Sequence, residues 1–182
     1  MKSLLIIFTR NPELGKVKTR LANGVGDKAA LEIYKFLLRY THSITQNLVV
    51  NKHVYYSGNI PETDIWEDEN FSKKLQHGND LGDRMQRAFK DGFDAGYEKV
   101  IIIGSDMYDL NSQDLYNAFS KLDLHDFVIG PAKDGGYYLL GMKRLKPEIF
   151  QHKSWGMSTV LEDTFRDLKG ENLVLLEERD DI

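Results

Sequence analysis

The chain contains no cysteine, which excludes disulfides, thiolate metal sites and cysteine nucleophiles. It has no basic face: 24 Lys and Arg stand against 28 Asp and Glu, for a formal net charge of -4. That balance argues against general affinity for nucleic acid. No stretch approaches the apolar length of a membrane span, and the amino-terminal apolar run is too short for a signal h-region with a small-residue cleavage site. The expectation is a soluble, cytoplasmic protein. Repeats, low-complexity tracts and linkers rich in Pro, Gly or Ser are also missing, so the 182 residues read as a single domain, 1–182. That length suffices to bury a core without staples.

Several familiar motifs are absent as well. Gly15-Lys16 lacks the upstream glycine of a P-loop and is not followed by Ser or Thr. Gly24-x-Gly26-x-x-Ala29 has the spacing of a dinucleotide fingerprint but follows no predicted strand. There is no Gly-x-Ser-x-Gly elbow and no His-Glu-x-x-His zinc motif.

What the chain does have begins at once. Leu4-Leu5-Ile6-Ile7-Phe8 is an unbroken apolar run, the pattern of a strand buried on both faces at the centre of a parallel sheet. It breaks into the loop Thr9-Arg10-Asn11-Pro12-Glu13-Leu14-Gly15-Lys16-Val17-Lys18-Thr19-Arg20-Leu21. Such a loop leaves the carboxyl end of its strand, where open α/β sheets bind ligands, and the following helix turns its positive end the same way. Four cations, Arg10, Lys16, Lys18 and Arg20, therefore suggest a phosphate site. In an extended segment Lys16, Lys18 and Arg20 would share one side, with Pro12 and Gly15 supplying bends. The competing interpretation is a solvated surface loop.

Further on, helical periodicity predicts a helix from Asp27 to about Leu48, with Gly24 and Gly26 before it. Val49 to Tyr56 reads as a strand, and Pro61 to Asn70 as an irregular acidic loop. A helix from about Asp80 to Ala95 is capped by Asp80 or Asn79, with Leu81, Met85, Ala88 and Phe89 inward. Val100-Ile101-Ile102-Ile103-Gly104-Ser105-Asp106 is the second buried run. Asn111 or Ser112 caps a helix to about Leu122, and Phe127 to Ile129 and Tyr137 to Met142 follow as strands. A last helix runs from Ser158 to about Leu168, and Leu173 to Leu176 closes the pattern. Strands alternating with helices predict an α/β sandwich with a mainly parallel sheet.

Three further clusters carry candidate chemistry. Asp106 and Asp109 end the second buried run, and hard divalent cations take oxygen ligands from one or two carboxylates plus phosphate. The alternative makes Asp106 a cap and Asp109 a turn residue, and Asp106 is the stronger candidate. In Gly130-Pro131-Ala132-Lys133-Asp134-Gly135-Gly136-Tyr137-Tyr138, the glycines would present Asp134 to a ligand, yet Asp-Gly also signals a hairpin with a type I′ turn, which local pattern favours. Trp155-Gly156-Met157-Ser158-Thr159 would line an acceptor pocket or simply supply a core residue and a cap. His77 is a candidate proton shuttle, although a lone His is more often structural.

The order of these segments, together with Gly78-Asn79-Asp80-Leu81-Gly82-Asp83-Arg84-Met85, resembles the DUF2064 family of bacterial transferase-like proteins, related to the GT-A type nucleotide-diphospho-sugar transferases. The resemblance covers nearly the whole chain. It implies one Rossmann-like α/β/α domain binding a nucleotide or nucleotide-sugar through its N-terminal half. It places Gly15, Lys16, Lys18 and Arg20 in the phosphate loop, Asp106 at the metal, and Asp134 with Gly135 and Gly136 in a second ligand-facing loop; the reading of the residues themselves adds Arg10 to the phosphate site and Asp109 to the metal. On the same reading of the residues, Tyr137, Trp155 and Ser158 would line an acceptor pocket. Met107-Tyr108 departs from the small residue and Pro that relatives carry there. Relatives also continue past Asp180-Asp181-Ile182, so this copy is expected to lack an acceptor-side closing element.

The implied activity is a Mg²⁺- or Mn²⁺-dependent glycosyl transfer from a nucleotide-diphospho-sugar to a small-molecule acceptor. Nucleotidyl transfer from GTP or CTP to a phosphorylated acceptor is the main alternative. A nucleotide-binding module without turnover is another.

Overall fold

The computed structural model describes residues 1–66 and 69–180. The elements are β1 Ser3–Thr9, α1 Thr19–Val25, α2 Asp27–Thr45, β2 Asn51–Tyr56, β3 Phe71–Leu75, α3 Leu81–Asp94 and β4 Lys99–Gly104. They are followed by α4 Ser112–Leu124, β5 Phe127–Pro131, β6 Tyr137–Met142, a 3-10 turn Pro147–Phe150, α5 Val160–Asp167 and β7 Leu173–Leu175.

The seven strands form one sheet in the order β3-β2-β1-β4-β6-β5-β7. Only β6 runs against the others: it pairs antiparallel with β4 and β5, and the remaining pairings are parallel. The central strands are the two apolar runs. Because successive side chains of a strand point to opposite faces, each run feeds two cores. Leu5, Ile7, Ile101 and Ile103 pack under α2 and α4. Leu4, Ile6, Val100 and Ile102 pack under α3 and the 3-10 turn. All eight are 4% exposed or less. The result is an α/β/α sandwich.

β1 has β2 on one side and β4 on the other, so the chain leaves in opposite directions from two adjacent strand ends. A crevice opens at such a switch point. It lies between the loop after β1 and the loop after β4, which hold the cationic and acidic candidates respectively.

Local chemistry explains the helix starts. Asp80 caps α3, accepting from Asp83 N at 2.8 Å, and Asn111 and Asp114 form a reciprocal capping box on α4. The predicted inward Leu81, the first residue of α3, is instead 43% exposed. α5 starts later than predicted, after Thr159, which caps without a side-chain hydrogen bond.

Two elements differ from expectation in kind. Residues 19–25 form the short helix α1 where the sequence suggested a continuing loop, and β3 is a strand that hydropathy does not announce. β3 reads Phe-Ser-Lys-Lys-Leu on a sheet edge, where one side is wet and periodicity is weak. Of the predicted irregular segment 61–70, Glu67 and Asp68 lie outside the described residues, as do Asp181 and Ile182. Just before them Trp66 is 2% exposed, and Asp64 is bound by the Tyr56 hydroxyl and Lys73. No helix among the described residues is long and apolar enough to cross a membrane.

Candidate active site

The ends of β1 and β4 are joined beneath the crevice by hydroxyl groups. Thr9 Oγ1 and Ser105 Oγ lie 2.9 Å apart, and Thr41 Oγ1 donates to Ser105 O at 3.0 Å. Tyr34 Oη donates to Arg10 O at 2.9 Å, accepts from Arg10 N at 2.9 Å, and lies 3.3 Å from Ser105 Oγ. Tyr34, Thr9 and Ser105 are each 3% exposed. In so dry a place these hydrogen bonds set the backbone at Arg10 rather than exchange with solvent.

Above this floor is a cleft of about 800 Å³. Arg10, Lys16, Lys18 and Arg20 all line it, together with Asp106 and Asp134. They reach it by a route different from the expected extended strand. Glu13 to Lys16 is a tight turn closed by Lys16 N to Glu13 O at 3.1 Å, with Gly15 at φ +75°. Lys18 itself is left-handed, at φ 47° and ψ 46°, and caps α1. The alternation of Lys16, Lys18 and Arg20 is therefore coincidental, and a turn followed by a helix gathers them.

Each of these cations has a distinct setting. Lys16 is exposed and paired with Glu13. Lys18 Nζ lies 3.2 Å from Asp106 Oδ2, its side chain 11% exposed. Arg20 Nη2 donates to Gly156 O at 3.2 Å, bringing the 155–159 loop to the cleft. Arg10 has no side-chain partner among the described residues and is exposed, so its donors face solvent. A fifth cation, Arg84, lines the cleft from α3, held by Gly78 O at 3.2 Å.

Arg84, Gln76 and Asn79 were not singled out as site residues in the sequence. Gln76 Nε2 donates to Tyr55 O at 2.9 Å and lies 3.4 Å from Thr9 O, tying the end of β3 to the cleft floor. The visible signal was the polar string Gln76 to Asp80, in which His77 drew attention. His77 is exposed and does not line the cleft.

Asp134 sits in the turn between β5 and β6, so the hairpin is real but its turn is not type I′. Gly135 N donates to Ala132 O at 3.1 Å, and Ala132 N donates to Gly136 O at 3.0 Å. Neither Lys133 nor Asp134 has positive φ, while Gly135 has φ +90°, the pattern of a type I turn with a glycine bulge. Gly135 also meets a neighbour: a Cβ there would lie 2.1 Å from Ser158 O. Its close approach is thus to the 155–159 loop, and Leu161 N donates to Gly135 O at 2.9 Å. Asp134 Oδ1 accepts from Gly136 N at 2.9 Å, which orients the carboxylate.

Asp109 is not brought to the cleft. Arg179 Nη1 donates to Asp109 O at 2.6 Å and to Asp109 Oδ1 at 3.2 Å, and Arg179 Nη2 lies 3.0 Å from Asp114 Oδ1. Arg179 also pairs through its backbone with Pro131 and Lys133. One residue from beyond β7 thereby holds both acid-bearing loops, the Asp109 loop through its side chain and the Asp134 loop through its backbone. Met107 is 5% exposed and packs into the core, and Tyr108 lies against Phe36 and Tyr40.

A second pocket, of about 230 Å³, adjoins the cleft and shares Phe8, Leu81 and Asp134 with it. Tyr137 and Trp155 line it; Ser158 lines neither cavity, and its backbone packs on Gly135. Burial pushes the Tyr137 hydroxyl well above the ordinary phenol range. At neutral pH it is a neutral group and no phenolate base.

The acidic donors suit a cation carried in by a ligand. No group of three His, Asp or Glu able to hold a metal occurs among the described residues. Mg²⁺ is commonly held by one or two carboxylates with phosphate oxygens and water. Asp106, with Asp134 on the same cleft, matches that chemistry once a diphosphate supplies the rest.

Comparison with known proteins follows this geometry. A provisionally named nucleotide-diphospho-sugar transferase from Desulfovibrio desulfuricans G20 is similar over 100% of this chain and 83% of its own, with 31% identity and TM-score 0.92. The 4-diphosphocytidyl-2C-methyl-D-erythritol synthase of Anaerococcus prevotii DSM 20548 shares the fold at 10% identity and TM-score 0.59, over 97% of this chain and 87% of its own. CMP:2-keto-3-deoxy-manno-octonic acid synthetase, solved with CTP, does so at 10% identity and TM-score 0.55, over 98% and 91%. No curated protein matches the chain in sequence. The profile of the family described as "Uncharacterized protein conserved in bacteria (DUF2064)" matches residues 40–157. The fold is that of the nucleotide-diphospho-sugar transferases, and the chain belongs to the DUF2064 family.

Proposed function

We propose that the protein is a metal-dependent glycosyltransferase that uses a nucleotide-diphospho-sugar. The observation that carries this reading is the convergence of Arg10, Lys16, Lys18, Arg20 and Arg84 on a cleft that also holds Asp106 and Asp134. A cluster of cations in a net acidic chain is suited to a diphosphate. Lys18 and Arg20, both at the start of α1, hold phosphate oxygens, and Arg10 offers a planar fork for a phosphate. Asp106 holds the cation, which when bound neutralises the diphosphate leaving group. Asp134 orients the acceptor hydroxyl and takes up its proton. The similarity to the Desulfovibrio protein supports the donor class.

Nucleotidyl transfer is the second reading, favoured by the fold shared with the two cytidylyl-transferring synthetases. In it the same cations hold a triphosphate attacked at its α-phosphate. One experiment separates the two. Purified protein is screened by thermal shift against nucleoside triphosphates and nucleotide-sugars, with and without Mg²⁺ or Mn²⁺. Metal-dependent stabilisation by a nucleotide-sugar, with release of a nucleoside diphosphate on turnover, supports sugar transfer. Stabilisation by a triphosphate with pyrophosphate release supports nucleotidyl transfer, and silence across the panel overturns both.

A further inference from the structure

We infer that the smaller pocket seats the acceptor, and that this acceptor is an uncharged alcohol with a compact apolar body, aliphatic or aromatic. The inference rests on the transferase reading above and adds to it a substrate class.

Its position comes first. The pocket and the phosphate cleft meet at Phe8, Leu81 and Asp134, so the one acidic group common to both stands between them. A molecule whose body fills the pocket reaches the cleft past that carboxylate and the Phe8 and Leu81 side chains. Its hydroxyl is then at Asp134, whose orientation is held by Gly136 N.

The lining decides the class. Phe8, Met85, Ile102, Trp155, Met157 and Val160 supply hydrocarbon, sulfur and ring surface, and no Lys, Arg or His contributes among the described residues. A phosphate or carboxylate placed there would face Asp134 with no counter-charge and would lose its hydration. A polyhydroxylated body fares little better. Tyr137 Oη already lies 4.0 Å from Met85 Sδ, and the buried Trp155 Nε1, without a hydrogen-bond partner among the described residues, offers one donor at most, enough for a single oxygen. Few polar atoms remain to satisfy a ring of hydroxyls. At about 230 Å³ the space equals roughly eight waters at liquid volume, enough for a substituted benzene ring or a short alkyl chain.

The mouth supports the same conclusion. Met157 is 61% exposed and Leu81 is 43% exposed, so large apolar side chains stand in solvent where the pocket opens. An apolar rim around a concave apolar site marks a place for a ligand. In the reaction so assigned, the alcohol oxygen forms a bond to the anomeric carbon of the nucleotide-sugar while the bond from that carbon to the diphosphate breaks. The bonding pair leaves on the diphosphate and the alcohol proton passes to Asp134.

The test uses the tryptophans. Trp66 and Trp155 are the only two, so Trp66→Phe leaves Trp155 to report on its own pocket. Benzyl alcohol, benzyl phosphate and glucose are titrated against this protein in parallel with a nucleotide-sugar. Benzyl alcohol is expected to saturate, and benzyl phosphate to bind at least about tenfold more weakly, because its charge is buried unpaired. Met157→Glu, at an exposed position, should weaken the alcohol about fivefold or more by placing charge at the apolar mouth while leaving nucleotide affinity unchanged. Ligand-observed NMR on the unaltered chain repeats the comparison without touching Trp66. Equal or tighter binding of benzyl phosphate or glucose overturns the assigned class. Nucleotide binding with no saturable alcohol binding overturns the pocket assignment alone. Alcohol binding in a protein that binds no nucleotide overturns the transferase reading and leaves the pocket's ligand class standing.

Discussion

Lys18 Nζ and Asp106 Oδ2 lie 3.2 Å apart although 88 residues separate them in the chain. The contact joins the cationic loop after β1 to the acid at the end of β4, so the group suited to phosphate and the group suited to a cation are held in one arrangement. Lys18→Ala is expected to weaken nucleoside diphosphate binding by about ten- to a hundredfold, the loss of one charge-assisted contact. The Asp106 side chain is 40% exposed, so stability should change by no more than about 1 kcal/mol. Titration calorimetry beside thermal melts checks both, and unchanged affinity removes Lys18 from the phosphate site.

Asp106→Asn and Asp134→Asn should fail differently. The first is expected to lower metal-supported turnover by about a hundredfold or more, with metal-free nucleotide binding retained. The second should leave donor binding intact and lower kcat by about 10²- to 10⁴-fold through loss of the proton acceptor. Product release measured across a Mn²⁺ series distinguishes them.

Tyr34→Phe removes a hydroxyl that both donates to and accepts from Arg10. The backbone groups left behind are part-buried, so a cost of about 1–3 kcal/mol is expected. Because Arg10 then loses its fixed backbone, nucleotide affinity should fall as well. Chemical denaturation and titration on the same sample test the pair of effects. Weakened folding with unchanged affinity would show that the hydroxyl network is structural only.

Arg179→Ala should lower kcat more than donor affinity. Its guanidinium spans Asp109 and Asp114 while its backbone pairs with residues 131 and 133. Without it the two acid-bearing loops lose their common tie, whereas the cationic loop is untouched. Arg179→Lys is expected to restore only part of the rate, since an ammonium cannot form the planar fork. Steady-state kinetics on both variants provide the measurement.

Burial, assisted by the Lys74 charge, pushes His53 down to about 4 from its ordinary 6.5. The unfolded chain therefore takes up a proton that the folded chain refuses until about pH 4. Stability should fall as pH drops from 6.5 toward 4 and recover as it rises. His53→Leu is expected to remove on the order of 1–2 kcal/mol of that acid-side loss, after allowance for partial exposure. Urea denaturation at neutral and mildly acidic pH gives the comparison.

The sheet's centre was legible because Leu4–Phe8 and Val100–Ile103 are apolar without alternation, a pattern that burial on both faces requires. Five predicted cleft side chains, Arg10, Lys16, Lys18, Arg20 and Asp106, line one cavity because strand-end loops converge there; Asp134 joins them from the hairpin. Less was legible where tertiary contact decides. Asp109 has the spacing of a metal ligand, yet Arg179, 70 residues away, takes it. Arg84 lies within the segment Gly78 to Met85, but nothing local distinguishes it from the exposed Arg87 on the same helix. β3 was missed because two adjacent lysines hide its edge-strand pattern.

The order of the strands also governs how the chain can assemble. β1 precedes both of its sheet neighbours in the chain, and they arrive late: Leu4 pairs with Asn51 on one side and Ser3 with Lys99 on the other. Until β4 has been synthesised, a strand that ends up buried on both faces has one edge, and before β2 both edges, open to other chains. Such non-local pairing slows folding and exposes nascent chains to association. The same apolar run that anchors the finished cleft is therefore a segment that needs shielding while its partner strands are still being made.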